Sequence, residues 1–263
     1  MNKHRIAAIV WRHWYNFKHS LDRMVDAFYW PAMDILLWGI TSVYISESGS
    51  DVSQIVLLIL SGLVLWQVTM RSQYEITINL LEEAWNTNLM NLFASPLTIW
   101  EWIVGISILA FIKMVITVVF AGVLVWWLYQ LNILNALSWW LLPFMGLLLI
   151  FGWALGFLVS GLIFRFGTRI QALAWTIVWI IAPFSAVFYP LQTLPAWAQR
   201  VAAFLPTSYI FEGMRAVLLG NRFDLTSLTV SAILTVVYLA AGIVFFLACF
   251  NHAKKGGLAR VEQ

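Results

Sequence analysis

The sequence predicts an all-α integral membrane protein with six transmembrane helices. An amphipathic helix lying in the membrane interface precedes them. A cytoplasmic amphipathic helix separates spans 2 and 3, and an extracellular re-entrant helical hairpin separates spans 5 and 6. Hydrophobic residues make up 62% of the 263 positions and charged residues only 10%, far from the balance of a soluble domain. The apolar runs are each long enough for a bilayer crossing, which takes roughly 20 residues. One long polar break, residues 71–98, interrupts them.

Taken in order, residues 1–23 form the interfacial element. Ile6, Val10, Trp14, Phe17 and Leu21 fall on one helical face, and Arg5, Arg12, Asn16, His19 and Arg23 on another. Such a helix either lies with its apolar face in lipid and its basic face on anionic head groups, or serves as a basic cap that sets topology. Residues 24–250 form the six-span domain, and 251–263 a cytoplasmic tail. The first residues, MNKHRIAAIVWRHWYNFKHS, lack an apolar core and a small-residue cleavage site, so no cleavable signal peptide is expected. The lone Cys249 excludes an internal disulfide.

The first span covers about 24–46, with Pro31 as an expected kink and Asp34 at membrane depth. A short acidic loop with Glu47 and Asp51 leads to the second span, about 53–71. The polar break follows. Leu81, Trp85, Leu89 and Phe93 recur every four residues and draw an apolar stripe on a helix within 75–96, which Pro96 stops. Glu75, Glu82 and Glu83 make it acidic, unlike helices that rest on anionic lipid. A helix of this kind suits docking to a soluble partner, or else rests solvated at the membrane face.

The third span, about 99–129, contains Lys113 and ends at Trp126 and Trp127; the fourth, about 137–164, starts with Trp139 and Trp140. These tryptophans flank a short loop, where an aromatic belt marks an interface; stacking on sugar rings is the alternative. The fifth span covers about 170–189. The hairpin, 190–221, holds two short helical patterns: Pro195 starts one, with Trp197, Val201 and Leu205 along it, and Thr207 or Ser208 caps the second, which Gly220 ends. Both are too short to cross a bilayer. The last span is about 227–250.

Eleven Lys and Arg residues fall on the N-terminal side of the membrane, including Lys254, Lys255 and Arg260 of the tail. The other side holds Arg200, Arg215 and Arg222. The positive-inside rule therefore puts both termini and the polar break in the cytoplasm and the hairpin outside. The net charge of +3 reflects that asymmetry and does not point to nucleic acid. No histidine lies at membrane depth, and no His-Glu-x-x-His motif is present, so neither a metal site nor a catalytic site of its own is expected. There is also no phosphate-cradling Gly-x-x-x-x-Gly-Lys-Ser/Thr loop.

Asp34 and Lys113 are charges at membrane depth, where each costs a few kcal/mol on insertion scales. Either they pair and join the first and third spans, or they contact a charged group in a translocation path. Glu212 and Arg215, three apart, either pair on a helix surface or line an outer exit.

The element order, together with EEAWNTNLMNLFASPLT (82–98) and FYPLQTLPAWAQRVAAFLPTSYIFEGMRAVLLG (188–220), resembles the ABC-2 type permeases, the membrane subunits of one class of ABC exporter. The first stretch is similar to that family's coupling segment, and the second to its signature of Tyr-Pro, Leu-Pro before Trp, Pro before a polar-Tyr pair, then Glu and Arg. In this chain those are Tyr189, Pro190, Pro195, Tyr209, Glu212 and Arg215. Asn86 departs from the pattern, standing where many relatives have glycine. The resemblance implies a homodimer in the membrane of a bacterial plasma membrane, with two copies of a cytoplasmic ATP-binding cassette subunit beneath it. ATP and Mg would belong to that partner, and no cofactor would be bound by this chain directly. The N-terminal helix, with Arg5, Arg12 and Trp14, would be a gate helix beside the coupling helix. Glu82 and Glu83 would pair with basic residues of the partner, and Trp85, Leu89 and Phe93 would fill an apolar groove there. The implied function is export of an amphipathic molecule: a drug, a lipid or a lipid-linked glycan. The alternative is an ion-coupled secondary transporter using Asp34 and Lys113, which predicts internal repeats and broken midplane helices.

Overall fold

The computed structural model describes residues 1–47, 52–220 and 224–258. Asp51, Arg222 and Arg260 lie outside the described residues. Among those described there is no strand. The elements are α1 (Lys3–His19), α2 (Leu21–Glu47), α3 (Val52–Trp85), α4 (Leu89–Ala94), α5 (Ile99–Tyr129), α6 (Ile133–Leu137), α7 (Leu141–Phe166), α8 (Leu173–Ile181), α9 (Ala196–Ala202), α10 (Pro206–Leu218) and α11 (Leu225–Gly256). Short 3₁₀ turns at Ser138–Trp140, Gly167–Ile170, Ala182–Phe184 and Leu191–Thr193 join them.

Among the described residues, four helical segments are long and apolar enough to cross a membrane: Gln54–Trp85, Ile99–Tyr129, Ile133–Ile170 and Leu225–Gly256. In their most apolar stretches the first and third are 72% buried, against 44% and 28% for the second and fourth. α3 and α7 are therefore the centre of the bundle, and α5 and α11 present wide apolar faces outward. The remaining two expected spans differ in kind. α2 is long enough but carries Asp22, Arg23, Asp26 and Asp34, and the apolar run Leu173–Phe184 is a short helix.

The first half of the polar break, 71–84, is not a water-exposed helix. α3 runs without interruption through the expected boundary at Arg71 to Trp85. At about 1.5 Å per residue its 34 residues measure roughly 50 Å, well beyond the roughly 30 Å hydrocarbon core. Arg71, Ser72, Gln73, Glu75, Thr77, Asn79 and Glu83 are all buried in the protein. The helix ends where Thr87 takes a left-handed backbone, φ 49°, and only the six-residue α4 follows. The expected stripe of Leu81, Trp85, Leu89 and Phe93 is thus split between two helices.

α3 and α7 approach closely because α7 offers glycines. A Cβ on Gly152 would lie 2.7 Å from the Ser72 Cβ and 2.8 Å from the Thr69 carbonyl oxygen. One on Gly156 would lie 2.8 Å from the Ile76 Cβ. Gly152 and Gly156 are four apart, a small-xxx-small face. The contact is reinforced by Thr69, whose hydroxyl donates to the Leu148 carbonyl at 3.4 Å. On the opposite side of α7, a Cβ on Gly242 of α11 would come within 2.6 Å of the Ala154 carbonyl.

Pro31 sits inside α2 without ending it. Its ring leaves the Ala27 carbonyl without the usual i→i−4 donor, and the Thr117 hydroxyl of α5 donates to that oxygen at 3.5 Å. A side chain from a neighbouring helix thereby replaces the lost backbone bond.

α1 stops at Ser20, whose backbone is extended. Its inward face is Ile9, His13 and Phe17, shifted from the expected Ile6, Val10, Trp14, Phe17 and Leu21. Leu21 is 78% exposed. The apolar face rests on protein: Ile9 packs where a side chain on Gly105 of α5 would fall. α5 begins with a capping box, the Thr98 hydroxyl accepting from the Glu101 N–H and the Glu101 carboxylate from the Thr98 N–H. The other Glu101 oxygen accepts the Asn2 N–H at 2.7 Å, tying the start of α1 to the start of α5.

After α7 the chain travels the length of α3. The Trp85 indole donates to Gln171 at 2.9 Å, whereas the Val187 carbonyl lies where a Cβ on Gly62 would be. Those anchors are 23 residues apart on α3, about 35 Å of helix. The hairpin then packs at that second end, with Trp38 stacked on Phe188 at 4.6 Å and Trp66 5.9 Å from Phe211. α9 buries Ala198 and Ala202 rather than Trp197 and Val201, which are exposed. α10 starts at Pro206, with Leu205 as N-cap. Thr207 and Ser208 do not cap it: Thr207 donates to Ser185, and Ser208 to the Ala202 carbonyl. Gly220, at φ 71°, follows the end of α10. Asp224 caps α11, and accepting the Thr226 N–H holds its carboxyl below the usual range.

Candidate functional site

The polar half of α3 organises three adjoining features. At its end, α1 is latched on by charge. Arg12 of α1 donates to Glu83 at 2.9 Å, and beside it Arg23 of α2 pairs with Glu82. The Asn88 side chain donates to the same Glu83 oxygen at 2.5 Å. Buried His13 stands 3.5 Å from Glu83 and 3.9 Å from Glu82. Glu82 and Glu83 are thus each engaged by a cation of this chain. A small groove of about 200 Å³ remains between α1 and the turn after α4, lined by Arg5, Ile9, Arg12, Leu92, Pro96 and Leu97. Arg5 closes one end by donating to the Pro96 carbonyl.

α4 turns its apolar side inward. Leu89 is fully buried. Phe93 enters an aromatic cluster, 4.8 Å from Phe250 and 6.5 Å from Trp102 and Phe164. Leu89 and Phe93 face the interior, whereas Trp85 and Met90 are 46% and 53% exposed. Trp14 is half-buried, stacked obliquely on Phe17 at 5.7 Å.

Glu83→Ala removes the acceptor shared by Arg12 and Asn88, and is expected to loosen α1. Because Arg12 is partly exposed, the cost in global stability should be small, about 1 kcal/mol. The local effect should be larger: trypsin cleavage at Arg12 and Lys18 should accelerate several-fold, measured by mass spectrometry. Unchanged cleavage would show that the latch does not hold α1.

Two to three turns deeper lies a charge quartet, buried except at Asp26. Lys113 of α5 donates to Glu75 at 2.7 Å, Arg71 reaches the other Glu75 oxygen at 2.5 Å, and Arg71 also meets Asp26 of α2 at 3.2 Å. Lys113 lies over the Phe17 ring of α1 at 4.6 Å. α1, α2, α3 and α5 thus meet at one set of two cations and two anions. The expected Asp34–Lys113 pair is not formed. Lys113 belongs to Glu75, and Asp34 accepts from Gln67 of α3 at 3.1 Å.

Asp34 instead lines a cavity of about 430 Å³ between α2, α3 and α8, with Asp26, Trp30, Gln67, Arg71, Trp175 and Trp179 also on its wall. Far from it, in the hairpin, Glu212 accepts from Arg215 at 3.1 Å and from the Leu191 N–H at 2.5 Å. Arg215, buried, also donates to the Ala186 carbonyl. Tyr189 and Tyr209 donate to the carbonyls of Pro183 and Ala203. Pro190 and Pro195 carry the extended backbone that precedes the 3₁₀ turn and α9. These residues tie the hairpin to itself.

Sequence reasoning did not single out Asp26, Arg71, Gln67 or His13. For Asp26, Gln67 and Arg71 the signal was available: each is polar at a position where an apolar residue would otherwise continue a long helix.

Long apolar helices around an ionic quartet, with an ion-paired N-terminal helix at one end, define a multi-pass helical membrane protein. Residues 4–219 match the ABC-2 type transporter family, and the chain belongs to that family. Its members are membrane subunits that work with an ATP-binding cassette partner and generally lack a catalytic site of their own. No curated relative matches the chain.

Proposed function

We propose that the protein is the membrane-spanning subunit of an ATP-driven exporter that moves an amphipathic substrate outward from the cytoplasmic side. Two copies enclose the path, and two ATP-binding cassette subunits, carrying ATP and Mg, drive it from below. The observation that carries this reading is the latching of α1 onto the end of α3 and the start of α5. A push delivered to α1 or α4 reaches the quartet through Arg12–Glu83 and through Phe17 beneath Lys113. The quartet borders the cavity directly, since Asp26 and Arg71 line it.

In this reading the chain crosses six times. α2 is the first crossing, its charges turned to the quartet and cavity. The segment from Gln171 to Val187 is the fifth, supported by its travel of about 35 Å along α3. Both termini and α4 then face the cytoplasm of a bacterial inner membrane, and the hairpin faces outward. The partner's contact is the exposed rim of α4, Met90 and Trp85, together with the α1 groove. Leu89 and Phe93 position that rim from inside.

Purification in mild detergent from the native membrane is expected to bring down a soluble ATP-binding subunit in equal amount. Met90→Asp, at an exposed position, should reduce its recovery tenfold or more while the permease remains folded. A permease that comes down alone, and moves substrate without ATP, would overturn the reading.

A further inference from the structure

We propose that the cavity between α2, α3 and α8 binds an organic cation with an apolar body, held by Asp34 against an indole wall. The proposal names the substrate class of the exporter described above and rests on that reading for its physiological role, though not for the binding itself.

Charge bookkeeping on the cavity wall leads there. Arg71 is ion-paired with both Asp26 and Glu75, and Glu75 in turn holds Lys113. The quartet is neutral. Asp34 stands outside it, and its one side-chain partner is the neutral Gln67 amide. The wall therefore has one carboxylate left over, and no cation of this chain pairs with it among the described residues. In a low-dielectric setting such a group attracts positive charge.

The rest of the wall selects the shape of that charge. Trp30, Trp175 and Trp179 line the cavity and are each at least 42% exposed. Indole faces attract cations, and quaternary cations in aromatic cages are bound in this way. Pro31, Met70 and Val178 supply apolar surface between them. The volume, about 430 Å³, falls in the range of drug-sized pockets, roughly 300–1,000 Å³.

The same wall disfavours a sugar, the other ligand that stacks on tryptophan. A sugar needs several free donors and acceptors. Here Gln67 donates to Asp34, Gln73 donates to Thr77 and Arg71 is ion-paired with two carboxylates, while Tyr74 contributes a single hydroxyl to the wall. An anion would meet Asp34 and find no uncommitted cation on the wall.

Tetraphenylphosphonium and tetraphenylborate share one shape and carry opposite charge. With purified protein in lipid nanodiscs, and empty nanodiscs as the blank, saturable binding of tetraphenylphosphonium with quenching of tryptophan fluorescence is expected. Asp34→Asn, which keeps an oxygen for Gln67, should weaken it tenfold or more. Trp179→Leu should weaken it several-fold and reduce the quench. Tetraphenylborate and maltoheptaose should show no saturable binding. Equal binding of the borate, binding indifferent to both substitutions, or saturable binding of maltoheptaose would overturn the proposal. The measurement needs neither ATP nor a partner. Cation binding without a co-purifying ATPase would sink the exporter reading alone, and the reverse result would sink the cation site alone.

Discussion

Glu75→Leu is expected to lower the fraction of folded protein more than any other single change in the polar half of α3. Glu75 is fully buried, accepts from Lys113 and is ion-paired with Arg71 at once. Without it Lys113 keeps only the Phe17 ring, and Arg71 only Asp26 and the Tyr74 ring. Removing one member of a buried ionic set typically costs about 3–5 kcal/mol, because the partners stay desolvated and unpaired. That is comparable to the roughly 5–15 kcal/mol by which a protein is stable. The measurement is the midpoint of detergent-driven unfolding, followed by tryptophan fluorescence. Adding Lys113→Met should recover most of the loss, since the double variant leaves Arg71–Asp26 as a complete pair. A double variant no better than Glu75→Leu would show that Glu75 acts by some route other than charge balance.

Gly152→Leu should be as damaging by a different mechanism. A side chain there starts 2.7 Å from the Ser72 Cβ and 2.8 Å from a backbone oxygen of α3. A backbone atom cannot swing aside, so α3 and α7 must separate, losing the Thr69–Leu148 hydrogen bond and the packing of both central helices. Overpacking in cores costs typically about 1–3 kcal/mol, and a full leucine against backbone should reach or exceed the top of that range. Gly146, on the same helix with nothing near its Cβ position, is the control: Gly146→Leu should leave the midpoint unchanged. Equal behaviour of the two variants would refute close α3–α7 packing at Gly152.

The two predictions mark what was and was not legible in the residues. The Gly152-x-x-x-Gly156 spacing and the Thr98–Glu101 capping box are local patterns, readable before any fold is known. Pro31 was legible as a break in backbone hydrogen bonding. That Thr117 supplies the missing donor was not, because the two are 86 positions apart. The stripe at 81, 85, 89 and 93 had true helical spacing, yet a turn at Asn86–Asn88 divides it. A four-residue periodicity does not register a three-residue break that keeps the phase nearly intact.

By itself the sequence determined that this is a helical, multi-pass membrane protein, where its longest apolar helices lie, and the family to which it belongs. Those properties follow from hydropathy summed over many residues and from motifs close in the chain. Only the tertiary structure decided what the polar residues of α3 do. Residues 71–83 have the composition of a segment facing water, and water is the only solvent a linear pattern can assume. In the fold Arg71, Glu75 and Glu83 are solvated by Asp26, Lys113 and Arg12 instead. Long-range pairing determined whether each charge was buried or wet. It also left Asp34 as the one carboxylate on the cavity wall without a cation.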